Sequence, residues 1–577
     1  MMAVLVAGAG SLFAQMPPFD PSAPMPEDPD VRKGGLDNGT TYYIRDNAKP
    51  EKQAEFYIFH NVGAMQEEDS QQGLAHFLEH MAFNGTKNLP DKQLINWLES
   101  IGVKFGATLN AGTGKELTVY NMSSVPLTRE SIIDSALLVL HDWSYFITLD
   151  GPEIDKERGV IVEELRTRNS ASWRIQEKSA PYLYGDTRYA HRNVIGSEEG
   201  LRSFDHKEIR DFYHRWYRTD LQALIIVGDF DAAEMEAKVK KVMADIPAVE
   251  DPEPKQYIAI PGNEEPIVGV LTDPELTSTS IRYYIKRPAL PIQANEYHVV
   301  YFQNMVDHFI GAIANERFRD IAQKPGAPFT NARLSTTSNI STTTDAVSGN
   351  ISAREGESLQ AFSAFYTELE KMGRYGFTES EFERAKANMM RSIEMQYDNR
   401  DDRRSEDFVW SYIMNFMKNT PYMTAEYEHE IDVKIVEFIT LDMVNQMTKE
   451  RLRPVNEIVL VSAPEKEGAT VPTSEQLLGV MQAVHTAELE APVDNTITEP
   501  LIPEGTVFKG SKVKKETTDT FGSTVWQLKN GVKVVVKSSD FKAAEILLRI
   551  ISACGHSVLS THEVLTAPNP PGYISPA

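Results

Sequence analysis

The sequence predicts an α+β fold built from repeated units, and three observations carry that expectation. Short β-rich runs alternate with amphipathic helical stretches along most of the 577 residues. Two polar stretches containing proline divide the chain into large units, and the start of the last unit echoes the start of the first. Apolar residues make up 41% and charged residues 24%, the composition of folded protein rather than of a disordered or collagen-like chain. With 58 Lys and Arg against 83 Asp and Glu the net charge is −25, which argues against nucleic acid as a partner. The single cysteine, Cys554, excludes internal disulfides and any all-cysteine metal site. A metal would have to be held by His and carboxylates.

At the N-terminus, Ala3 to Ala14 (AVLVAGAGSLFA) is too short to span a bilayer but suits a signal-peptide core, so residues 1–14 are expected to direct export, the alternative being a frayed cytoplasmic end. No Lys or Arg precedes the run, and Leu12 stands where a small residue is usual before cleavage. Residues 15–33, with six prolines between Met16 and Asp30, are expected to form an extended leader outside any core. No later run is long and apolar enough for a membrane span.

Residues 34–250 form the first unit, with strands expected at Thr41 to Ile44, Phe56 to Phe59 and Leu224 to Val227, the last closed by Gly228-Asp229. A linker at 251–256 leads into a second unit, 257–487, with a strand at Ile281 to Ile285, a long helix through Phe382 to Tyr397 and a strand at Ile458 to Val461. A second linker, 488–510, precedes residues 511–577. There Leu528-Lys529-Asn530-Gly531 and the β-rich run after it repeat Leu36-Asp37-Asn38-Gly39 and its sequel, and Ile546 to Ile551 falls where the first unit has Phe56 to Phe59. These residues therefore read as the incomplete start of a third repeat. Its final Ala567 to Gly572 stretch has the composition of disorder.

The chemistry concentrates in Gly73 to Gly85 (GLAHFLEHMAFNG). On a helix His76, Glu79 and His80 share one face, opposite Phe77, Leu78 and Met81, and Asn84-Gly85 supplies the stop signal. Two histidines at i and i+4 bring their ring nitrogens together as a zinc site requires, while Glu79 sits beside them free to take a proton. A solvated face that carries these residues by chance is the bland alternative. A hydrolytic zinc needs a third protein ligand, and the helical stretch Ile154 to Arg168 offers Glu157 and Glu164 two turns apart on one side.

HFLEH followed by ERGVIVEE resembles the inverzincin metallopeptidases, the pitrilysin and insulin-degrading-enzyme family, whose signature is His-x-x-Glu-His with a downstream Glu. The resemblance implies repeated domains, each a mainly antiparallel sheet packed with helices. It makes His76 and His80 ligands of one zinc ion, Glu164 the third ligand, Glu79 the general base, and Glu157 a carboxylate that steadies the site. Glu163 or Glu157 as third ligand remains an alternative. The segment Asn110 to Tyr120 is similar to the family's Asn-Ala-x-Thr edge strand, so Asn110 and Ala111 are expected to bind extended substrate through main-chain pairing. Phe212 to Asp229 and Asn315 to Phe329 extend the likeness.

The second unit lacks the motif, since His298, His308 and His429 are scattered, and is expected to be a silent copy. His556 and His562, six apart, do not share a helical face. The expectation is a zinc-dependent endopeptidase of peptides or unfolded segments, periplasmic or otherwise exported. The family's second half, which supplies a carbonyl-polarising Arg/Tyr pair, lies beyond this sequence, so a non-catalytic peptide-binding subunit or dependence on a partner chain is the alternative. A zinc hydrolase acting on a non-peptide bond is a third reading.

Overall fold

The computed structural model describes residues 17–104, 106–467, 470–494, 500, 502–503, 505–539 and 546–551. Described residues up to 500 form one compact unit and those from 502 another. Runs rich in β-branched and aromatic residues become the strands of the first unit, because such side chains pack well on a pleated surface. One sheet has six strands in the order β1 (Val31–Gly35), β2 (Thr41–Asp46), β6 (Gln222–Gly228), β3 (Gln53–His60), β5 (Thr118–Pro126) and β4 (Leu109–Thr113). A second has five, ordered β7 (Ile267–Asp273), β11 (Glu457–Pro464), β8 (Ser280–Pro288), β10 (Thr344–Ala353) and β9 (Phe329–Ser341). Only the β2–β6 and β7–β11 neighbours run parallel. The α+β class with mainly antiparallel sheets is borne out.

Once β1 is set aside, both sheets have one topology: first strand, last strand, second, fourth, third. The repeat anticipated from the sequence is therefore already present between the two sheets. In both, the last strand of the set is buried along nearly all its length, β6 at all seven positions. Alternation divides β6 between two cores: Leu224 and Ile226 face the helices of their own half, whereas Ala223, Ile225 and Val227 face the other way. That second face is covered by a helix from the later half of the unit, Ser405–Lys418, whose Phe408, Val409, Tyr412 and Ile413 pack against it.

The proline-rich stretch corrects an expectation. Residues 17–33 were expected to stay outside any core, yet Met25 is 6% exposed within the core of the second sheet and its N–H bonds Glu296 O at 2.6 Å. The Asp28 carboxylate pairs with Arg45, its N–H reaches Tyr422 O at 3.0 Å, and β1 runs antiparallel to β2. Proline removes a donor without forbidding an extended path along an edge, and apolar Met25 and Phe19 bring area to bury.

In the compact unit from residue 502 on, β12 (Val513–Thr518), β13 (Thr524–Leu528) and β14 (Lys533–Val536) form an antiparallel meander. Its β13–β14 turn reproduces the β1–β2 turn bond for bond. Gly39 and Gly531 have φ of 98° and 93°, their N–H groups reach Leu36 O and Leu528 O, and the Asn38 and Asn530 side chains accept from the N–H two residues on. Such a backbone favours glycine, which explains why the letters recur. Ile546–Ile551, expected as the counterpart of β3, is not a strand; its Ile546 is 94% exposed and no described strand pairs with it. A strand persists only where a neighbour satisfies its backbone. Residues 1–14, Ala567 to Gly572, His556 and His562 lie outside the described residues. No described helix is long and apolar enough to cross a membrane.

Ile413 is fully buried against the first sheet although it belongs to the later half. Ile413→Ala is expected to lower stability by about 2–5 kcal/mol, measured by urea unfolding followed by circular dichroism. An unchanged midpoint would contradict the packing described.

Candidate metal centre

The motif residues stand on α1 (Leu74–Asn84), which follows β3. Both ends of α1 are pinned from outside it. At its start Gly73 has φ 90°, and a Cβ there would lie 2.7 Å from Ile195 O, so only glycine fits. The Glu67 carboxylate, with no exposed surface, accepts from Gly73 N at 3.1 Å and Ala75 N at 2.9 Å and so caps donors that the helix leaves unsatisfied. Beyond its end, Asp142 holds the adjoining loop through Thr86 Oγ1, Asn88 N and Asn88 Nδ2 at 2.6 to 2.8 Å. Burial works against the Asp142 charge, but these donors and His141 outweigh it and keep the carboxyl below its ordinary range.

The acids come from a second helix, α2 (Gly151–Arg168). Its two-turn spacing brings Glu157 and Glu164 to the same side, against α1. His76 Nε2, His80 Nε2 and Glu164 Oε2 approach to 3.7 Å and 3.2 Å across the two His–Glu pairs, and one donor atom from each residue lies within 4.8 Å of the others. Glu157 Oε1 lies 2.8 Å from His80 Nδ1, and Asn84 Nδ2 donates to Glu157 Oε2 at 2.6 Å. Glu163 instead points to solvent and pairs with Arg166, so it is not part of the group.

An ionised carboxylate can only accept, so Glu157 fixes the proton of His80 on Nδ1 and leaves the Nε2 lone pair facing Glu164 Oε2. With Nε2 unprotonated, the buried Glu164 Oε2 finds no hydrogen bond. Acceptor opposes acceptor, and a cation between them removes the conflict. For metal–ligand bonds near 2.1 Å, tetrahedral zinc ligands are separated by about 3.4 Å, close to the observed spacings, and two imidazoles with one carboxylate are a zinc-type donor set. The residues present fit the ion. A proton on Nε2 is the other way to relieve the pair: burial pulls His80 down, but its bonds to Glu157 and Glu164 win and push it up to about 9. Once Nε2 carries that proton it can donate to Glu164 across the 3.2 Å, and this holds the Glu164 carboxyl down at about 2.

Glu79 is 9% exposed, so the solvated-face alternative does not describe it. Burial raises its carboxyl, opposed by a hydrogen bond from Thr113 Oγ1 to Oε2 at 2.5 Å. Thr113 ends β4, the outermost strand on its side of the sheet, which also carries Asn110 and Ala111. Those two residues make no hydrogen bond to the His76–His80–Glu164 group. In the second half, His298 bonds Ala23 O and Tyr427 OH, a structural role.

Sequence reasoning passed over Asn84, Thr113, Glu67 and Asp142 as supports. Asn84 was within reach, since it stands one turn after His80 on the same face; the others are joined to α1 only by tertiary folding.

The description "Insulinase (Peptidase family M16)" matches residues 42–190, and "Peptidase M16 inactive domain" matches residues 203–389. The probable zinc protease PqqL of Escherichia coli is 28% identical over 420 residues, covering 73% of this chain and 45% of that protein. The zinc protease PQQL-like of Arabidopsis thaliana is 26% identical over 539 residues, covering 92% and 52%. The chain thus spans about half the length of these relatives. The crystal structure of the first half of the periplasmic protease PqqL from Escherichia coli superposes with a TM-score of 0.74 at 25% identity, over 82% of this chain and all of that one. Pitrilysin shares the fold at a TM-score of 0.62 and 17% identity, over 84% of this chain and 52% of its own.

Burial pushes Glu67 up to about 8 against the hydrogen bonds it accepts. A raised carboxyl holds its proton in the folded state after the unfolded chain has released it, so this group costs stability as pH climbs from about 4.5 to about 8. Glu67→Gln, which mimics the neutral acid, should gain stability over the parent across that window and match it near pH 4.5, as read by urea unfolding in chelator. A Glu67→Gln disadvantage that grows toward pH 8 would contradict the assignment.

Proposed function

The chain belongs to the insulinase family, peptidase family M16, and from that premise we propose that it is a zinc-dependent endopeptidase acting on peptides or unfolded segments. The observation that carries the reading is the convergence of His76, His80 and Glu164 from two helices, with Glu79 buried beside them. In this reading the three are the ligands of one ion. Glu157, hydrogen-bonded to His80, orients that ring and increases its basicity, the usual service of a carboxylate behind a metal-bound histidine.

A zinc ion, when bound, supplies a Lewis acid that polarises a carbonyl and acidifies water. The chain's own residues do the rest. Extended substrate pairs its backbone with the free edge of β4 at Asn110 and Ala111, so the grip depends little on side chains and admits many sequences. Glu79 accepts a proton from the attacking water and returns it to the leaving amine, a role suited to a carboxyl whose burial raises its proton affinity. Water and a peptide bond become a carboxylic acid and an amine.

Export is supported by the apolar run Ala3 to Ala14 and by the periplasmic description of the Escherichia coli relative. The second half, which lacks the motif and matches an inactive domain, serves in this reading as the wall that completes the first sheet's packing.

Glu79→Gln should retain one zinc per chain by elemental analysis while losing about 10²- to 10⁴-fold in kcat on a quenched fluorescent peptide, the range typical of a general base. Parental turnover by a zinc-loaded Glu79→Gln protein would refute the base. A parent that binds one zinc and peptide yet never cleaves would assign peptide binding or partner dependence instead.

A further inference from the structure

We propose that Thr113 is a positioning residue that fixes Glu79 to the same strand that grips the substrate. The inference rests on the peptidase reading and adds a residue to it. Along β4 the side chains alternate: Leu109 is buried in the core, Ala111 packs against that core, and Thr113 comes next on the same face, the one toward α1. Thr113 Oγ1 therefore meets Glu79 end on and donates to Oε2 at 2.5 Å. The other oxygen, Oε1, accepts no hydrogen bond among the described residues.

The strand end that carries Thr113 is itself held. Thr113 lies opposite Thr118 in the β4–β5 ladder, and the turn beyond it is closed by Gly114 N to Leu117 O at 2.8 Å. Gly114 O and Lys115 O accept from Ala64 N and Met65 N at 3.1 and 2.8 Å, in the segment that leads toward α1. A glutamate has three rotatable bonds, and one hydroxyl on a rigid strand removes that freedom while leaving Oε1 open for a proton. Because substrate would pair with the outer edge of β4, the scissile bond and the base share one frame. A shift of the strand moves both together, which preserves the near-attack distance.

The test compares Thr113→Val, which keeps shape and loses the donor, with Thr113→Ser, which keeps the donor. Crystal structures of the two variant full chains read the position of the Glu79 carboxylate without any need for turnover. The carboxylate should leave its place in the valine variant and keep it in the serine variant. With one zinc per chain, Thr113→Val should lose about 10²-fold in kcat at nearly constant KM, the cost of roughly 1 Å of misplacement, and Thr113→Ser should recover most of it. A Glu79 that stays in place in Thr113→Val, or a valine variant with parental kcat, overturns the proposal; so does a serine variant as impaired as the valine one. If the parent chain cleaves nothing, the peptidase reading fails, while the displacement of Glu79 still decides this inference.

Discussion

The site is organised by a conflict between acceptors. His80 stands between two carboxylates, and in its neutral form the proton it directs at Glu157 leaves its other nitrogen opposed to Glu164 Oε2 at 3.2 Å, an oxygen that accepts no hydrogen bond. Lone pairs facing each other in a poorly solvated pocket are unfavourable, and burying an unsatisfied carboxylate oxygen costs more than burying a neutral group. The rest of the first half can be understood as the scaffold that keeps these groups together despite that cost. The arrangement is relieved by a cation, whether a metal ion or a second proton on His80.

Holding the conflict requires rigid helices, and each is anchored where it would otherwise fray. Glu67 and the tight passage of Gly73 past Ile195 set the start of α1, and the Asp142 hub sets the loop beyond its end. The packing of α1 and α2 on a sheet whose opposite face is sealed by the Ser405–Lys418 helix extends the anchoring into the later half. This gives the motif-free copy a physical role that needs no chemistry of its own. One topology is used twice, and the two halves differ in whether the helix after the second strand carries the His76–Glu79–His80 group.

Much of this was legible in the letters. Helical periodicity placed His76, Glu79 and His80 on one face, and the seven-residue interval turned Glu157 and Glu164 the same way, because both inferences need only local geometry. The turn at Asn38-Gly39 and its copy at Asn530-Gly531 were readable because a left-handed backbone favours glycine. What escaped was nonlocal. Pro-rich residues 17–33 look like a tether until Met25 and Phe19 find a distant core, and Thr113 gains meaning only when β4 is laid beside α1. Ile546–Ile551 shows the converse error, since an apolar run becomes a strand only where a partner strand receives it. Local pattern proposes elements, and tertiary pairing decides them.

The most direct measurement is a zinc-edge anomalous difference map from crystals of the zinc-loaded chain. One peak is expected about 2.0 to 2.2 Å from His76 Nε2, His80 Nε2 and a Glu164 oxygen, with Glu157 still bonded to His80 Nδ1. A peak held by Glu157 in place of Glu164, or by residues away from α1, would contradict it.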